Sequence, residues 1–186
     1  MSGQNFPEKI PLFISRSYIS TELNKTGSWR FVRPKYQEKT APCSAVCPAG
    51  EDIARIEMLS SQGRYREALE TLLLENPFPA ICGRVCFHTC ETACNRSGLD
   101  EPIAIHGIER FIGDAAVRDN LTFSLEKLPD NGKKISIVGA GPSGLAAAYF
   151  LTRLGYSCDV FEAESEPGGI LRWGIPRYRL PDAVVD

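Results

Sequence analysis

Residues 76–94 read NPFPAICGRVCFHTCETAC. Pro77 and Pro79 fix φ and remove backbone donors, so no helix continues through the start of this stretch. Behind them, cysteines recur at one spacing, Cys82-x3-Cys86 and Cys90-x3-Cys94. A third pair with the same spacing, Cys43-x3-Cys47, lies upstream, so six of the seven cysteines fall between Cys43 and Cys94. Disulfides need no such repeat, and an odd total leaves no complete pairing. Soft metals and iron–sulfur clusters require several thiolates converging on one small volume. Zinc favours tighter Cys-x2-Cys knuckles or histidines at set spacing, and His88 and His106 complete no such pattern. Ordinary buried cysteines are common, but six so close together are not explained by packing. The spacing favours an iron–sulfur cluster, with zinc and plain burial as the alternatives.

On a helix, Cys-x3-Cys is an i, i+4 pair with both sulfurs on one face. Cys90-Glu-Thr-Ala-Cys94 fits that, whereas the glycine in Cys82-Gly-Arg-Val-Cys86 predicts a turn. Pro48 follows Cys47 directly, as in bacterial ferredoxin runs. Thiolates in a partly dry pocket need compensating charge, which iron, backbone N–H groups and Arg84 would supply.

Working outward, residues 41–118 read as helical. Asp52 is the expected N-cap of a helix through about residue 60, with Ile53, Ile56 and Leu59 on one face. Gly63 ends it. Tyr65, Leu69, Leu72 and Leu73 form a second stripe ending near Asn76. A last helix is expected over residues 105–117, with Ile108, Phe111, Ile112 and Ala115 inward. Residues 1–40 are polar, broken by Pro7, Pro11, Gly27 and Pro34, and read as an extended arm. Residues 119–131 read as a linker closed by the Asp130-Asn131-Gly132 turn signal.

From Lys133 the pattern changes. A β-type run, KISIVG, leads into Gly139-Ala140-Gly141-Pro142-Ser143-Gly144, then a helix, then the strand CDVFEA. This strand–turn–helix context is the one a dinucleotide fingerprint needs. Gly139 permits the tight turn, Gly141 lets the backbone approach a pyrophosphate, and Gly144 allows close helix–strand packing. The helix N-terminus offers free N–H groups to phosphates. Glu162 closes the second strand where a ribose-binding carboxylate belongs, the alternative being a surface glutamate at a strand end. Two strands do not complete a parallel nucleotide-binding sheet, so residues 132–186 read as the beginning of a domain and the chain as the N-terminal piece of a longer polypeptide. Cys158, in the second strand, reads as packing.

A net charge of −2 gives no basic footprint for nucleic acid. No apolar run approaches the roughly 18 residues of a membrane span, and the N-terminus lacks the layout of a signal peptide. Cysteine-rich ligand sets without an export signal imply a reducing cytoplasm.

The stretches CPAG, NPFPAICGRVC, CETAC and IAIHGIERF together resemble the N-terminal cluster domain of the glutamate synthase small subunit family. That family includes the corresponding domains of dihydropyrimidine dehydrogenase and of electron-bifurcating NADH-dependent ferredoxin:NADP oxidoreductase. The resemblance covers roughly residues 40–186. It implies an α-helical iron–sulfur domain followed by the start of an α/β Rossmann-like FAD-binding domain. The family holds two [4Fe–4S] clusters. One uses an early Cys-x2-Cys pair with the positions of Cys43 and Cys94; here that early pair is missing, Lys35 and Glu38 standing near where it should be, so this cluster is not expected. The other uses the positions of Cys47, Cys86 and Cys90 with a Gln or Glu, matched by Glu109. One [4Fe–4S] cluster is therefore expected, with Glu109, or a rewired Cys94 or Cys43, as fourth ligand. For Glu109 the alternative is a solvated helix face. Cys82 matches no family ligand and reads as packing.

EAESEPGGILRWGIPRYRLP resembles the flavoprotein continuation, which implies FAD contacts for Gly168, Gly169, Ile170, Leu171 and Arg179. NAD(P)H would bind a second Rossmann unit outside this chain. The implied function is an NAD(P)H-linked flavin/iron–sulfur oxidoreductase subunit that relays electrons between FAD and a larger catalytic subunit or ferredoxin-like partner. This segment needs no catalytic acid, base or nucleophile. TGSWRFVRP, residues 26–34, resembles a segment of the delta subunits of 2-oxoacid:acceptor oxidoreductases, implying such a partner; glutamate synthase is the alternative within the class. The competing class is a non-catalytic docking module with a structural cluster or zinc.

Overall fold

A computed structural model describes residues 39–119 and 125–186. The expected arm over residues 1–40, with TGSWRFVRP, lies outside the described residues but for its last two positions, as do residues 120–124 of the linker. Residue 39 onward belongs to one compact unit, Lys39–Asp186.

Helix α1 (Pro42–Ala45) is a single turn, and Ser44 Oγ accepts the Ile53 N–H at 3.0 Å, tying α1 to the start of α2 (Ile53–Ser61). Asp52 caps α2 as expected, accepting the Arg55 N–H at 3.2 Å. Ile53, Ile56 and Leu59 are buried, as the pattern predicts. Helix α3 (Tyr65–Glu75) buries Ala68, Leu69, Leu72 and Leu73 against Ile56, Leu59 and Ile112. Asn76 turns extended, at φ −127° and ψ 106°, the conformation a following proline imposes.

Helix α4 (Pro79–Val85) then starts on Pro79, where a missing N–H costs nothing. The turn expected at Cys82–Cys86 is in fact helical through Val85, with Cys86 extended just beyond it. Gly83 serves contact between helices rather than a turn. A Cβ there would meet Arg110 N of helix α6 (Ile105–Arg118) at 2.5 Å, and a Cβ at Gly113 would overlap Ala80 N.

Helix α5 (Thr89–Thr92) is again one turn. The expected helical pairing of Cys90 with Cys94 is therefore not seen. Cys94 sits in extended backbone opening a 3₁₀ turn, where Ser97 donates both its N–H and its hydroxyl to Cys94 O. On α6, Ile105, Glu109, Ile112 and Gly113 face inward. Phe111, expected inside, is 50% exposed and meets the Tyr65 ring edge-on at 5.1 Å.

Strands β1 (Lys134–Val138) and β2 (Ser157–Phe161) flank α7 (Pro142–Arg153) and pair in parallel, with Lys134 opposite Ser157 and Val138 opposite Phe161. The Asp-Asn-Gly turn forms as predicted, Asp130 Oδ1 accepting the Gly132 N–H at 2.9 Å. Two short helices, α8 (Ile170–Trp173) and α9 (Asp182–Val185), follow.

The helical part and the β–α–β part meet at two places. Tyr149 Oη donates to Leu73 O at 2.6 Å and Arg153 Nη1 to Leu74 O at 2.9 Å, so side chains of α7 satisfy carbonyls that α3 leaves open at its end. Ile81 of α4 packs with Leu171 and Leu180 in a small core that Phe78 and Val85 border. The helix that carries Cys82 thus lies directly against the segment after the glycine turn.

Candidate metal centre and nucleotide turn

Cys47 after α1, Cys86 at the end of α4, Cys90 in α5 and Glu109 on α6 all line one cavity of about 200 Å³. Glu51, Asn76 and Cys82 line it too. Four thiols and two carboxyls therefore converge, and among the described lining residues none is basic. Burial, and then the Glu51 charge, push the Glu109 carboxyl up to about 8, and burial also raises Glu51. Burial lifts the Cys82 thiol to about 12 and the Cys90 thiol to about 11. A cationic iron–sulfur core supplies the missing positive charge and takes thiolate and carboxylate ligands, so this donor set fits one.

Glu109 is 7% exposed and its Oε1 accepts from Asn76 Nδ2 at 2.8 Å, so it is not on a solvated face. The same Nδ2 donates to Glu51 Oε1 at 2.8 Å. Asn76 Oδ1 accepts the Phe78 N–H at 2.8 Å and the Cys82 thiol at 3.6 Å. Asn76 and Glu51 escaped the sequence reading. The asparagine before Pro77 read only as a helix end, and Glu51 carried no motif at all.

Cys43 and Cys94 are placed differently. Cys43 is half-buried against Ile53, Cys90 and Ile105, and Cys94 is buried at the 3₁₀ turn. Neither lines the cavity. Arg84, expected to assist, is instead paired with Asp114 at 2.8 Å and bonded to Ala80 O.

Beside the cavity, Glu91 Oε1 accepts the backbone N–H of His106 at 3.0 Å and contacts its Nδ1 at 2.6 Å. Ala104, the residue preceding α6, offers no side-chain cap, so Glu91 caps that helix from α5. Burial pushes the Glu91 carboxyl up, but its bonds to His106 outweigh this and hold it below its ordinary value. His88, at φ 57°, stacks its ring on His106 with centroids 3.8 Å apart. His88, Glu91 and His106 lie within 4.8 Å of one another. Parallel stacked rings do not aim their nitrogens at one point, so the group reads as a clamp on α6.

In the glycine turn, Gly139 adopts φ 95° and a Cβ on it would meet nothing within 4 Å, leaving open space over the turn. A Cβ at Gly144 would overlap Gly139 O, which explains the glycine there. No side chain caps α7, so its first N–H groups remain available to an anion. Ala140, Pro142 and Ser143 complete the turn. Gly168 and Gly169 join it: Gly168 N donates to Ala140 O at 2.8 Å, and Gly169 lies against Gly141. Ile170 is exposed nearby, while Leu171 turns into the small core. Arg179 is exposed on the turn before α9. Glu162 Oε2 accepts the Ala140 N–H at 2.6 Å, and its Oε1 accepts those of Ala163 and Glu164. These backbone bonds, that from Glu164 first, hold its carboxyl below the ordinary range. It therefore fastens the end of β2 to the turn.

Residues 35–121 match the family described as dihydropyrimidine dehydrogenase domain II, 4Fe-4S cluster, and residues 137–181 match an NAD(P)-binding Rossmann-like domain. The chain is 41% identical over 167 residues to the NADPH-Fe(3+) oxidoreductase subunit beta of Geobacter sulfurreducens, covering 89% of this chain and 24% of the relative. It is 40% identical over 148 residues to an NAD-dependent dihydropyrimidine dehydrogenase subunit PreT homolog of Salmonella typhi, covering 78% and 36%. With the NADH glutamate synthase of Schizosaccharomyces pombe it shares 33% identity over 179 residues, 88% of this chain and 8% of the relative. The chain thus spans about a quarter to a third of the length of the first two of these relatives. The expected helical iron–sulfur domain followed by a Rossmann-like unit is what these matches and the fold together show. Among the described residues no helix is long and apolar enough to cross a membrane.

Proposed function

We propose that this chain is the relay segment of an NAD(P)H-linked flavin and iron–sulfur oxidoreductase subunit. One [4Fe–4S] core would be held by Cys47, Cys86, Cys90 and Glu109, and FAD by the turn of residues 139–144 with Gly168 and Gly169. When bound, the flavin exchanges hydride with a nicotinamide and single electrons with the cluster. The chain's own work is positional. Glycines bring backbone N–H groups to the phosphates, Glu162 holds the turn, and α4 keeps the thiols against the nucleotide unit. The reading rests on one observation: three cysteines from three separate elements and a buried glutamate face the same cavity.

The relatives act as subunits by name, which supports a larger catalytic partner here. A ferredoxin-like or 2-oxoacid-oxidising partner belongs to this proposal as well, as does the cytoplasm, whose reducing conditions keep such thiols free. Protein purified without oxygen should carry about four iron and four sulfide per chain, the content of one cubane, and dithionite should bleach it. Metal-free protein would defeat the proposal. A loaded cluster that resists dithionite would favour the structural docking module instead.

A further inference from the structure

We propose that Asn76 is the positioning residue that makes Glu109, rather than Cys82, the fourth ligand of the cluster. The inference rests on the cluster reading above. Both candidates line the same cavity. They come from α4 and α6, two helices locked by the glycine contacts of Gly83 with Arg110 and of Gly113 with Ala80. A side chain at either glycine would collide with the facing backbone, so the two helices already stand at closest approach. The choice between a carboxylate and a thiolate therefore has to be made by side chains, and one side chain touches both.

Asn76 is fixed for this task. It is 3% exposed, its backbone N–H bonds to Leu72 O at 2.8 Å, and Pro77 restricts its backbone. Its amide has two distinct ends. Nδ2 donates, and it holds Glu109 Oε1 at 2.8 Å. Among the described residues Glu109 Oε2 carries no hydrogen bond, so that oxygen stays free for iron. Oδ1 accepts, and it takes the Cys82 thiol at 3.6 Å. That contact holds the Cys82 sulfur on the amide, while Glu109 keeps one carboxyl oxygen outside it. The Phe78 N–H at 2.8 Å on Oδ1 and Glu51 Oε1 at 2.8 Å on Nδ2 keep the amide from flipping, because a flip would set donor against donor and acceptor against acceptor. One amide thus presents the carboxylate and withholds the thiol.

Without this amide the ligands exchange. The bond from iron to the Glu109 oxygen breaks, a bond from iron to Cys82 Sγ forms, and the thiol proton passes to the released carboxylate. No electron is gained or lost.

The test uses the full chain, purified without oxygen, as wild type, Asn76→Leu, Cys82→Ser and the double variant Asn76→Leu/Cys82→Ser. Each is read by iron and sulfide content, by the electron paramagnetic resonance spectrum of the reduced cluster, and by its midpoint potential. Cys82→Ser should match the wild type in all three. Asn76→Leu should keep its iron but change both spectrum and potential. The double variant, denied both arrangements, should lose one iron of the core and show the spectrum of a three-iron species. If leucine prevents folding, as circular dichroism would show, Asn76→Asp takes its place: it keeps the shape, loses the donor to Glu109, and should shift the spectrum likewise. An Asn76 variant whose spectrum overlays the wild type, or one that responds identically with and without Cys82, overturns the inference while leaving the cluster standing. Iron-free wild type defeats both.

Discussion

Polar side chains at the cavity tie separate elements together. Asn76 bridges Glu51, Glu109 and Cys82, while Glu91 reaches from α5 to cap α6. The cap matters because α6 begins at Ala104 without a side chain of its own to satisfy the first N–H groups. Glu91→Ala should therefore lower the unfolding free energy by about 1–2 kcal/mol, the range for a lost helix cap, as read from urea denaturation of the metal-free protein. An unchanged midpoint would mean that the cap contributes nothing. Three of the four lining cysteines, Cys47, Cys86 and Cys90, and Glu109 could be found in the sequence, from the spacing and from the family resemblance. Asn76, Glu51 and Glu91 could not, because their partners lie 15 to 33 residues away and hydrogen bonds at that separation leave no periodic trace.

Helix positions were legible where apolar residues recur at helical spacing, as in α2, α3 and α6, and where Asp52 marks a start. Glycine misled. Gly83 read as a turn because glycine disfavours helices in isolation, yet tertiary contact decides here: two backbones meet, and only a missing side chain lets them. The Cys90-x3-Cys94 spacing misled in the opposite sense, since α5 is a single turn that ends before Cys94. Gly113→Ala should force α4 and α6 apart, costing about 1–3 kcal/mol as overpacking does. Because α4 carries Cys82 and leads to Cys86 while α6 carries Glu109, the same variant should also take up less iron at a given supply. Full stability by thermal melting, with full iron, would show that the close approach is not needed.

At the scale of the whole molecule, the centre is assembled from segments that are far apart along the chain: Cys47 follows α1, Cys86 and Cys90 flank the turn into α5, and Glu109 comes from α6. The same unit sets α4 against the segment after the nucleotide turn, through Ile81, Leu171 and Leu180. This junction was not visible in the sequence, where residues 119–131 read as a linker between separate domains. The bonds from Tyr149 and Arg153 to the end of α3 join two stretches with no shared pattern. The assembly also separates cysteines that share a spacing into those that face the cavity and those that do not. Iron content of Cys86→Ser and Cys94→Ser, purified side by side without oxygen, measures that separation directly. The account predicts that Cys86→Ser loses the cluster chromophore and its iron, while Cys94→Ser retains the wild-type content. Equal loss from both variants would contradict it.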